Sequence, residues 1–366
     1  MGFNKRVQAY PMVVLLLPLV AAILLFVTPP DRYSFAKKEP NAVQEQLYGR
    51  LAAAGLRGDE LATVGALTLG YKEELGKELR RHFQASGAAH VLAVSGLHTG
   101  IIYGVLLWLL TLGGHVKPRY ENRAGRWTIS LVIISVMWFY AWLTGMTPSV
   151  VRAVLMVTIF EVGRMAYRQA ISLNTIAAAA VLILLVKPTD LWSASFQLSF
   201  TATAAIVLFA KHMELYLRRK EWLGTWKGRL FDWIAGTIII SIAAQLGTLP
   251  LTMYYFGQMS NYFLLTNLIV LPLATFLVPF GLLSIALGGS WLGLIVSKAT
   301  WALAWAMNHS VEWIEHLPGS LTYVSVSLPM VIVYYMLFCG FGICIYQKKA
   351  VLLQSQLKTT ININKQ

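Results

Sequence analysis

The chain carries few charged residues and very few cysteines. Charged residues make up 13% of the 366 residues, and 16 acidic residues stand against 30 lysines and arginines. The two cysteines, Cys339 and Cys344, match no CxxC or metal-binding spacing, and both lie in an apolar run. They therefore indicate buried small hydrophobic residues and give no reason to expect a metal centre.

Hydrophobic residues, by contrast, make up 57% of the chain, and the mean hydropathy is +0.61. A soluble domain of this size cannot bury that much apolar surface, so most of the chain must be solvated by lipid. The formal net charge of +14 would suggest nucleic-acid binding in a soluble protein. In a membrane protein it first reflects the placement of Lys and Arg on the cytoplasmic side, although an anionic substrate could use the same charge.

The long apolar runs predict an all-α, polytopic membrane protein with about ten transmembrane helices, each needing ~20 apolar residues. With the N-terminus in the cytoplasm, the basic loops 113–126 and 211–232 and the C-terminal tail all fall on the cytoplasmic side. No small-x-small cleavage site follows the first run, so a retained helix is expected there. The predicted spans are 11–28, 89–112, 127–145, 148–168, 171–187, 191–210, 233–255, 261–285, 290–308 and 323–346.

Four regions follow from these spans. Residues 1–28 hold the N-terminal transmembrane helix, and residues 29–88 form an extracytoplasmic segment of two or three amphipathic helices lying on the membrane or on the bundle. The main transmembrane domain covers 89–346, and 347–366 is a basic cytoplasmic tail.

The second apolar run contains polar residues and regularly spaced glycines that a lipid-facing helix does not need. His90, Ser95 and His98 lie in this run. Polar groups at this depth are costly unless they meet protein or water, so this helix should face a neighbour or a hydrated path. The glycines, four residues apart, predict close helix packing. They are Gly96, Gly100 and Gly104.

The fourth run contains two charges that cannot neutralise each other. Arg152 and Glu161 are nine residues apart, about 13 Å along a helix. Glu161 is expected to form an ordinary helix-end pair with Arg164. Arg152 could extend to the membrane surface, or it could face a channel and attract phosphate.

Further polar residues at predicted membrane depth are Gln197, Gln245 and Asn267. Prolines interrupt two of the helices concerned, and a proline frees a backbone carbonyl that is tolerated only where it meets protein or water. Such broken helices are typical of transport sites and are also common as simple kinks. The prolines are Pro250, Pro272 and Pro279.

Catalytic and metal sites are weakly supported. Ser95 and His98 share a helix face, as a nucleophile and its base would, but no orienting acid accompanies them. His309, Glu312 and His316 would also share one face, yet they match neither HExxH nor HxxEH, so a solvated helix end is expected. No ATPase motif is visible, because residues 70–78 depart from the P-loop pattern in spacing and in the final Ser/Thr.

Five short segments occur in a fixed order, and together they resemble the competence domain of the ComEC family, the inner-membrane DNA-uptake channels of natural transformation. The resemblance covers residues 45–285 and extends more loosely to 346. The segments are 83–98 (FQASGAAHVLAVSGLH), 147–153 (TPSVVRA), 196–200 (FQLSF), 244–250 (AQLGTLP) and 254–257 (YYFG), followed by Asn267.

This resemblance implies passage of single-stranded DNA across the bacterial cytoplasmic membrane, with a DNA receptor, a separate nuclease and a cytoplasmic ATP-driven motor as partners. It implies no cofactor. The OB-fold-like domain of longer relatives and the HxHxDH motif of their metallo-β-lactamase-like domain are not found in this sequence, so a non-enzymatic chain is expected. The main alternative is a secondary transporter for a small anion or a lipid-linked substrate. The residues expected along the DNA path are His90, Ser95, His98, Arg152, Gln197, Gln245 and Asn267.

Overall fold

The computed structural model describes residues 41–92, 94–111, 122–166, 172–210, 225–338 and 340. Almost all of this part of the chain is helical, as predicted. The helices are α1 Ala42–Ala53, α2 Gly58–Leu69, α3 Lys77–Ser86, α4 Gly96–Leu110, α5 Arg123–Leu143, α6 Pro148–Met165, α7 Ser172–Val186, α8 Ala194–Ala205, α9 Trp226–Phe256, α10 Phe263–Leu287, α11 Trp291–Glu315 and α12 Leu328–Phe338. A 3₁₀ turn, Pro188–Trp192, precedes α8, and a π-helical turn, Ile206–Ala210, follows it.

Local signals account for several helix ends. Asn41 and Gln44 form a capping box at the start of α1, where the Gln44 amide donates to Asn41 Oδ1 at 2.8 Å. Gly70 ends α2 and Gly87 ends α3, with φ of 71° and 92°. These are left-handed conformations that glycine adopts without steric cost.

Three of the described helices are long and apolar enough to cross a membrane: α5, α9 and α10. The shorter apolar helices are Gly96–Leu110, Leu173–Val186, Ala194–Ala210 and Leu328–Phe338. The chain thus has the helices of a membrane protein, whereas the predicted count of about ten spans is not reached by this measure. The predicted span 11–28 and the tail 347–366 lie outside the described residues.

The predicted span 89–112 is wrong at its beginning. Residues 89–92 form turns and a bend, and α4 begins only at Gly96, with Ser95 as its N-cap. Val91, Leu92 and Val94 are nevertheless buried. An irregular segment buried in protein has the same apolar composition as a helix, which explains the error.

The helix α2 is more deeply buried than an amphipathic surface helix. Every residue from 61 to 69 is buried, and α2 packs against α10 and α11. Thr63 Oγ1 donates to Asn308 Oδ1 at 2.8 Å, and a Cβ placed on Gly281 would lie 2.5 Å from Thr68 Cγ2. The segment before the predicted transmembrane domain therefore contributes its central helix to the bundle core.

The structure adds a small two-stranded antiparallel pairing to the predicted all-α fold. β1 Gln258–Ser260 pairs antiparallel with β2 Leu321–Tyr323. Asn261 Nδ2 donates to Gly319 O and Thr322 Oγ1, both at 2.7 Å. This pairing links the segment that follows α9 to the loop that follows α11.

The loop before α4 lies between two hydrophobic clusters. Val91 and Leu92 pack with residues of α1–α3, α10 and α11, whereas Val94 packs with α5 and α6. The first turn of α4 is thereby held in the interior, where the predicted polar residues begin.

Candidate functional site

The start of α4 is organised by Ser95 and His98. The Ser95 amide donates to His98 Nδ1 at 3.2 Å, and Ser95 Oγ lies 3.3 Å from the same nitrogen. Because Nδ1 accepts, the hydrogen of the neutral ring is on Nε2. His98 is fully buried, and its Nε2 has no hydrogen-bond partner among the described residues. A buried donor is therefore left available beside the helix N-terminus.

The N-terminal turn of α6 lies next to that of α4. Pro148 begins α6, and Ser149 Oγ donates to Val94 O, just before α4, at 2.7 Å. A Cβ on Gly96 would lie 3.9 Å from Ala153 Cβ. The two helices thus place their N-terminal ends side by side.

Arg152 extends this arrangement to α8. Its side chain is almost completely buried, and Nη2 donates to both Ser195 O and Ser195 Oγ at 2.9 Å. Ser195 belongs to the first turn of α8, whose N-cap Ser193 accepts a hydrogen bond from the Phe196 amide. Arg152 Nε has no hydrogen-bond partner among the described residues.

No carboxylate in the described chain forms a salt bridge with Arg152. The charge of Asp190 acts on it, but Asp190 Oδ1 is already paired with Lys187 Nζ at 3.1 Å. The guanidinium is held by neutral oxygens, so its charge is not fully compensated.

The N-termini of α4 and α8 therefore both lie beside that of α6, at one end of the bundle. Each N-terminus carries a partial positive charge from its unpaired amides, and such ends bind anions. Arg152 adds a full positive charge where α6 and α8 meet. The combined field favours a negatively charged ligand.

The loop that follows α2 lies close to the same region, since a Cβ placed on Gly70 would lie 3.4 Å from Val94 Cγ2. Arg80 closes the loop after α2 by donating from Nη2 to Lys72 O at 2.6 Å and from Nε to Leu75 O at 3.1 Å. The charge of Lys72 acts on His98. Burial lowers the pKa of Lys72, and the neighbouring Arg80 charge lowers it further.

Gln197 is also joined to this end of the bundle. Its Nε2 donates to Leu191 O at 3.0 Å, and its Oε1 accepts from Tyr255 Oη at 2.9 Å. Ser195 and Gln197 share the first turn of α8, so the structure brings Arg152 and Gln197 together through that turn. Tyr255 was not identified from the sequence as a site residue, although it lies in a matched motif.

Asn267 and Gln245 lie apart from this cluster, on α10 and α9. Asn267 Nδ2 donates to Ser241 Oγ at 3.1 Å and links α10 to α9, while its Oδ1 has no partner among the described residues. Gln245 is half-buried, one turn along α9 from Ser241. His90 is exposed in the loop before α4, where its Nδ1 lies 3.1 Å from Gly87 O.

Two of the three glycines in the stripe do not pack against another helix of the described chain, whereas Gly96 lies against α6. No described atom lies within 4 Å of a Cβ placed on Gly100 or Gly104, and both glycines line an open groove beside Trp108. Close helix packing occurs instead at Gly247, where a Cβ would lie 2.6 Å from Ala205 Cβ on α8. Spacing identified the stripe but could not show which face meets a neighbour.

A buried ionic cluster joins α4, α5 and α6. Glu161 is fully buried, and its Oε1 accepts from Tyr103 Oη at 2.8 Å and from Arg164 Nη1 at 2.9 Å. Its Oε2 accepts from Ser130 Oγ at 2.6 Å. The predicted pairing with Arg164 is confirmed, whereas complete burial and the two hydroxyl donors were not predicted.

The acidic and histidine residues at the end of α11 turn towards their own helix or towards α3. His309 Nδ1 lies 3.0 Å from Trp305 O, and His316 Nδ1 lies 2.8 Å from Glu312 O. Among the described residues, no group of three such side chains is arranged to hold a metal ion. A separate ion pair fastens α3 to α11; it joins Arg81 Nη2 and Glu315 Oε1 at 3.3 Å.

Comparison with known proteins gives the family. A family model described as "Competence protein" matches residues 67–349. The chain is 28% identical to ComE operon protein 3 of Bacillus subtilis over 75% of this chain and 32% of that protein. It is 25% identical to Recombination protein 2 of Haemophilus influenzae over 62% of this chain and 28% of that protein.

A third relative is Competence protein ComA of Neisseria gonorrhoeae, 28% identical over 42% of this chain and 22% of that protein. The chain therefore spans about a third or less of the length of these relatives. No solved structure matches the chain. Because the family model covers well over half of the sequence, this chain belongs to the competence protein family.

Proposed function

We propose that this chain forms part of a path that carries single-stranded DNA through the bacterial cytoplasmic membrane. Its family and the names of its relatives support a role in competence and DNA uptake. The proposal adds that the chain is multi-pass with both termini in the cytoplasm. The strand would pass the end of the bundle where α4, α6 and α8 begin.

The observation that carries this proposal is the incompletely neutralised charge of Arg152. Burying a cation costs several kcal/mol unless an opposite charge or good hydrogen bonds compensate for it. Only Ser195 supplies such bonds among the described residues. A passing phosphate would supply the missing negative charge, and Nε is available to donate to it.

A nucleic-acid strand suits the surroundings of Arg152 better than an isolated ion does. Single-stranded DNA carries one charge per nucleotide and uses aromatic faces for stacking. Tyr254 and Tyr255 pack edge to face at 5.1 Å between ring centroids, and Tyr255 is joined to Gln197. Phosphate and base contacts could therefore be made within one region.

The proposed transport involves no covalent step in this chain. Ser95 and His98 lie close enough to suggest a hydrolase, but His98 Nδ1 accepts from the Ser95 amide. That bond caps α4, so the nitrogen that faces Ser95 Oγ is already engaged by a main-chain donor. Energy for transport and degradation of one strand are assigned to partners: a DNA receptor, a separate nuclease and a cytoplasmic ATP-driven motor.

A secondary transporter for a small anion is the second candidate. Arg152 and the proline within α9 suit it equally. The two candidate functions predict different ligand preferences. A path for a DNA strand should bind an oligonucleotide far more tightly than inorganic phosphate, whereas a small-anion transporter should not. Binding of the oligonucleotide should also weaken steeply with salt.

The test uses the full chain in liposomes that contain a DNA-binding dye. A single-stranded oligonucleotide is added outside, and its entry down its concentration gradient, which needs no motor, is followed by fluorescence. Arg152→Gln should lower the entry rate at least about tenfold, since hydrogen bonds to charged groups contribute about 1.5–3 kcal/mol. The entry rate of Arg152→Lys should lie between those of Arg152→Gln and the wild type, because lysine keeps the positive charge but lacks the planar guanidinium group.

Arg123→Gln is the matched control, because Arg123 is exposed and its loss changes the net charge equally. This variant should retain the wild-type rate. Equal rates for Arg152→Gln and Arg123→Gln would overturn the proposed role of Arg152. Entry of inorganic phosphate but not of the oligonucleotide, with loss in Arg152→Gln, would favour the small-anion transporter.

A further inference from the structure

Pro250 breaks the hydrogen-bond ladder of α9 six residues before the helix ends. Proline has no amide hydrogen, so the carbonyl of Leu246, four residues earlier, loses its donor within the helix. In a membrane-spanning helix such a carbonyl destabilises the structure unless another group donates a hydrogen bond to it.

The helix α12 supplies the missing donor. Tyr334 Oη donates to Leu246 O at 2.7 Å, and the next residue, Tyr335, donates from Oη to Gly247 O at 2.6 Å. These two bonds are not equivalent. Gly247 O can still accept from the Leu251 amide, as in any α-helix, whereas Leu246 O depends on Tyr334.

The other prolines within described helices lack this arrangement. Pro272 and Pro279 in α10 free the carbonyls of Leu268 and Thr275 in the same way. No side chain of the described residues donates to either carbonyl. A side-chain donor at the break is therefore specific to α9.

The break separates two functional parts of α9. On one side Gly247 packs tightly against Ala205 of α8. On the other side the last turn carries Tyr255, which donates to Gln197 of α8. A change of angle at Pro250 would move Tyr255 while leaving the Gly247 contact in place.

We propose that the Leu246–Pro250 turn is a hinge and that the Tyr334 hydroxyl is the clasp that keeps it closed. Release of the clasp swings the last turn of α9 away from α8 and separates Tyr255 from Gln197. This inference rests on the proposed function in one respect: the movement widens the route past Arg152 for a strand.

The clasp is tested by hydrogen exchange on the full chain in lipid nanodiscs, without DNA. Tyr334→Phe should speed exchange of the amides at 251–256 by about two- to tenfold, the equivalent of one net hydrogen bond. Pro250→Ala restores the amide at the break, so Tyr334→Phe should have no further effect in that background. Tyr335→Phe is the matched control, and any effect it has should be the same with and without Pro250→Ala, since Gly247 O keeps its own donor.

If Tyr334→Phe changed the exchange rate at 251–256 equally with and without Pro250→Ala, the proposed role of the Tyr334 hydroxyl as a clasp would be wrong. An unchanged rate in Tyr334→Phe would also contradict that role. Loss of exchange protection throughout α2 in Tyr334→Phe would show that this variant is misfolded. In that case the hinge is tested with Pro250→Ala alone. Slower exchange of the amides at 251–256 in Pro250→Ala supports the hinge, and unchanged exchange refutes it.

Oligonucleotide entry into liposomes then tests whether the hinge is a gate. Tyr334→Phe should raise the entry rate and Pro250→Ala should lower it. If exchange follows the predicted pattern but both variants transport at the wild-type rate, the hinge exists and is not a gate. If the wild type transports no oligonucleotide, the proposed function fails while the exchange result on the clasp still stands.

Discussion

Removal of the Glu161 carboxylate should destabilise the bundle through the loss of three hydrogen bonds. Tyr103, Ser130 and Arg164 all donate to it, at 2.8, 2.6 and 2.9 Å respectively. Because the carboxylate is fully buried, the three donors cannot simply exchange it for bulk water. Glu161→Ala would leave three donors on three different helices without their acceptor.

The magnitude depends on the reference state. Hydrogen bonds to charged groups in soluble proteins contribute about 1.5–3 kcal/mol each. Side-chain hydrogen bonds in membranes average about 0.6 kcal/mol and reach about 1.7 kcal/mol, because the unfolded chain in the membrane also finds partners. The Arg164 side chain is 20% exposed and can turn towards water, which reduces the cost further. We expect Glu161→Ala to cost about 2–4 kcal/mol, and Glu161→Gln about half of that because it keeps one acceptor oxygen.

The assay is equilibrium unfolding in mixed detergent and dodecyl sulfate micelles, followed by tryptophan fluorescence. Glu78→Ala is the control, because Glu78 is exposed on α3 and should change the free energy of unfolding by less than about 0.5 kcal/mol. A loss in Glu161→Ala no larger than in Glu78→Ala would refute the view that this cluster holds α4, α5 and α6 together.

Two further predictions concern close packing and buried polar pairs. Gly247→Ala should cost about 1–3 kcal/mol in the same assay, because its Cβ would overlap Ala205, whereas Gly236→Ala on the same helix should be neutral or slightly stabilising. Equal effects of the two substitutions would contradict the close approach of α8 and α9. Thr63→Val should cost about 1–3 kcal/mol, because it leaves the buried Asn308 side chain without its partner, and adding Asn308→Leu should recover most of that loss. Additive losses in the double variant would argue against a direct Thr63–Asn308 bond.

Composition and hydropathy were sufficient to predict the helical class and most helix positions, because lipid allows few alternatives to a helix. They failed where protein interior and lipid are equally apolar. Residues 89–92 read as helix because the segment is apolar, yet the chain turns there, and α4 begins only after its N-cap Ser95. The charges flanking α2 suggested a surface helix, although all residues from 61 to 69 are buried.

The polar site was predicted as a set of residues and not as an arrangement. Arg152 was identified because a charged side chain at membrane depth is costly unless a partner or water stabilises it. Its partner Ser195, however, lies 43 residues away in the sequence. No spacing rule connects residues so far apart. Gly100 and Gly104 show the same limit, because a four-residue repeat marks a face without revealing whether another helix covers it.

Photochemical cross-linking can show whether DNA passes the end of the bundle where α4, α6 and α8 begin. Oligonucleotides containing iodouracil are added to the wild-type chain in nanodiscs, irradiated, and the adducts are located by mass spectrometry. Adducts are expected on Tyr255 or Tyr254 and not on Phe139 or Trp142, which are exposed on α5 as lipid-facing residues would be. Adducts confined to Phe139 and Trp142, or a chain that transports DNA without labelling either tyrosine, would contradict this path for the DNA.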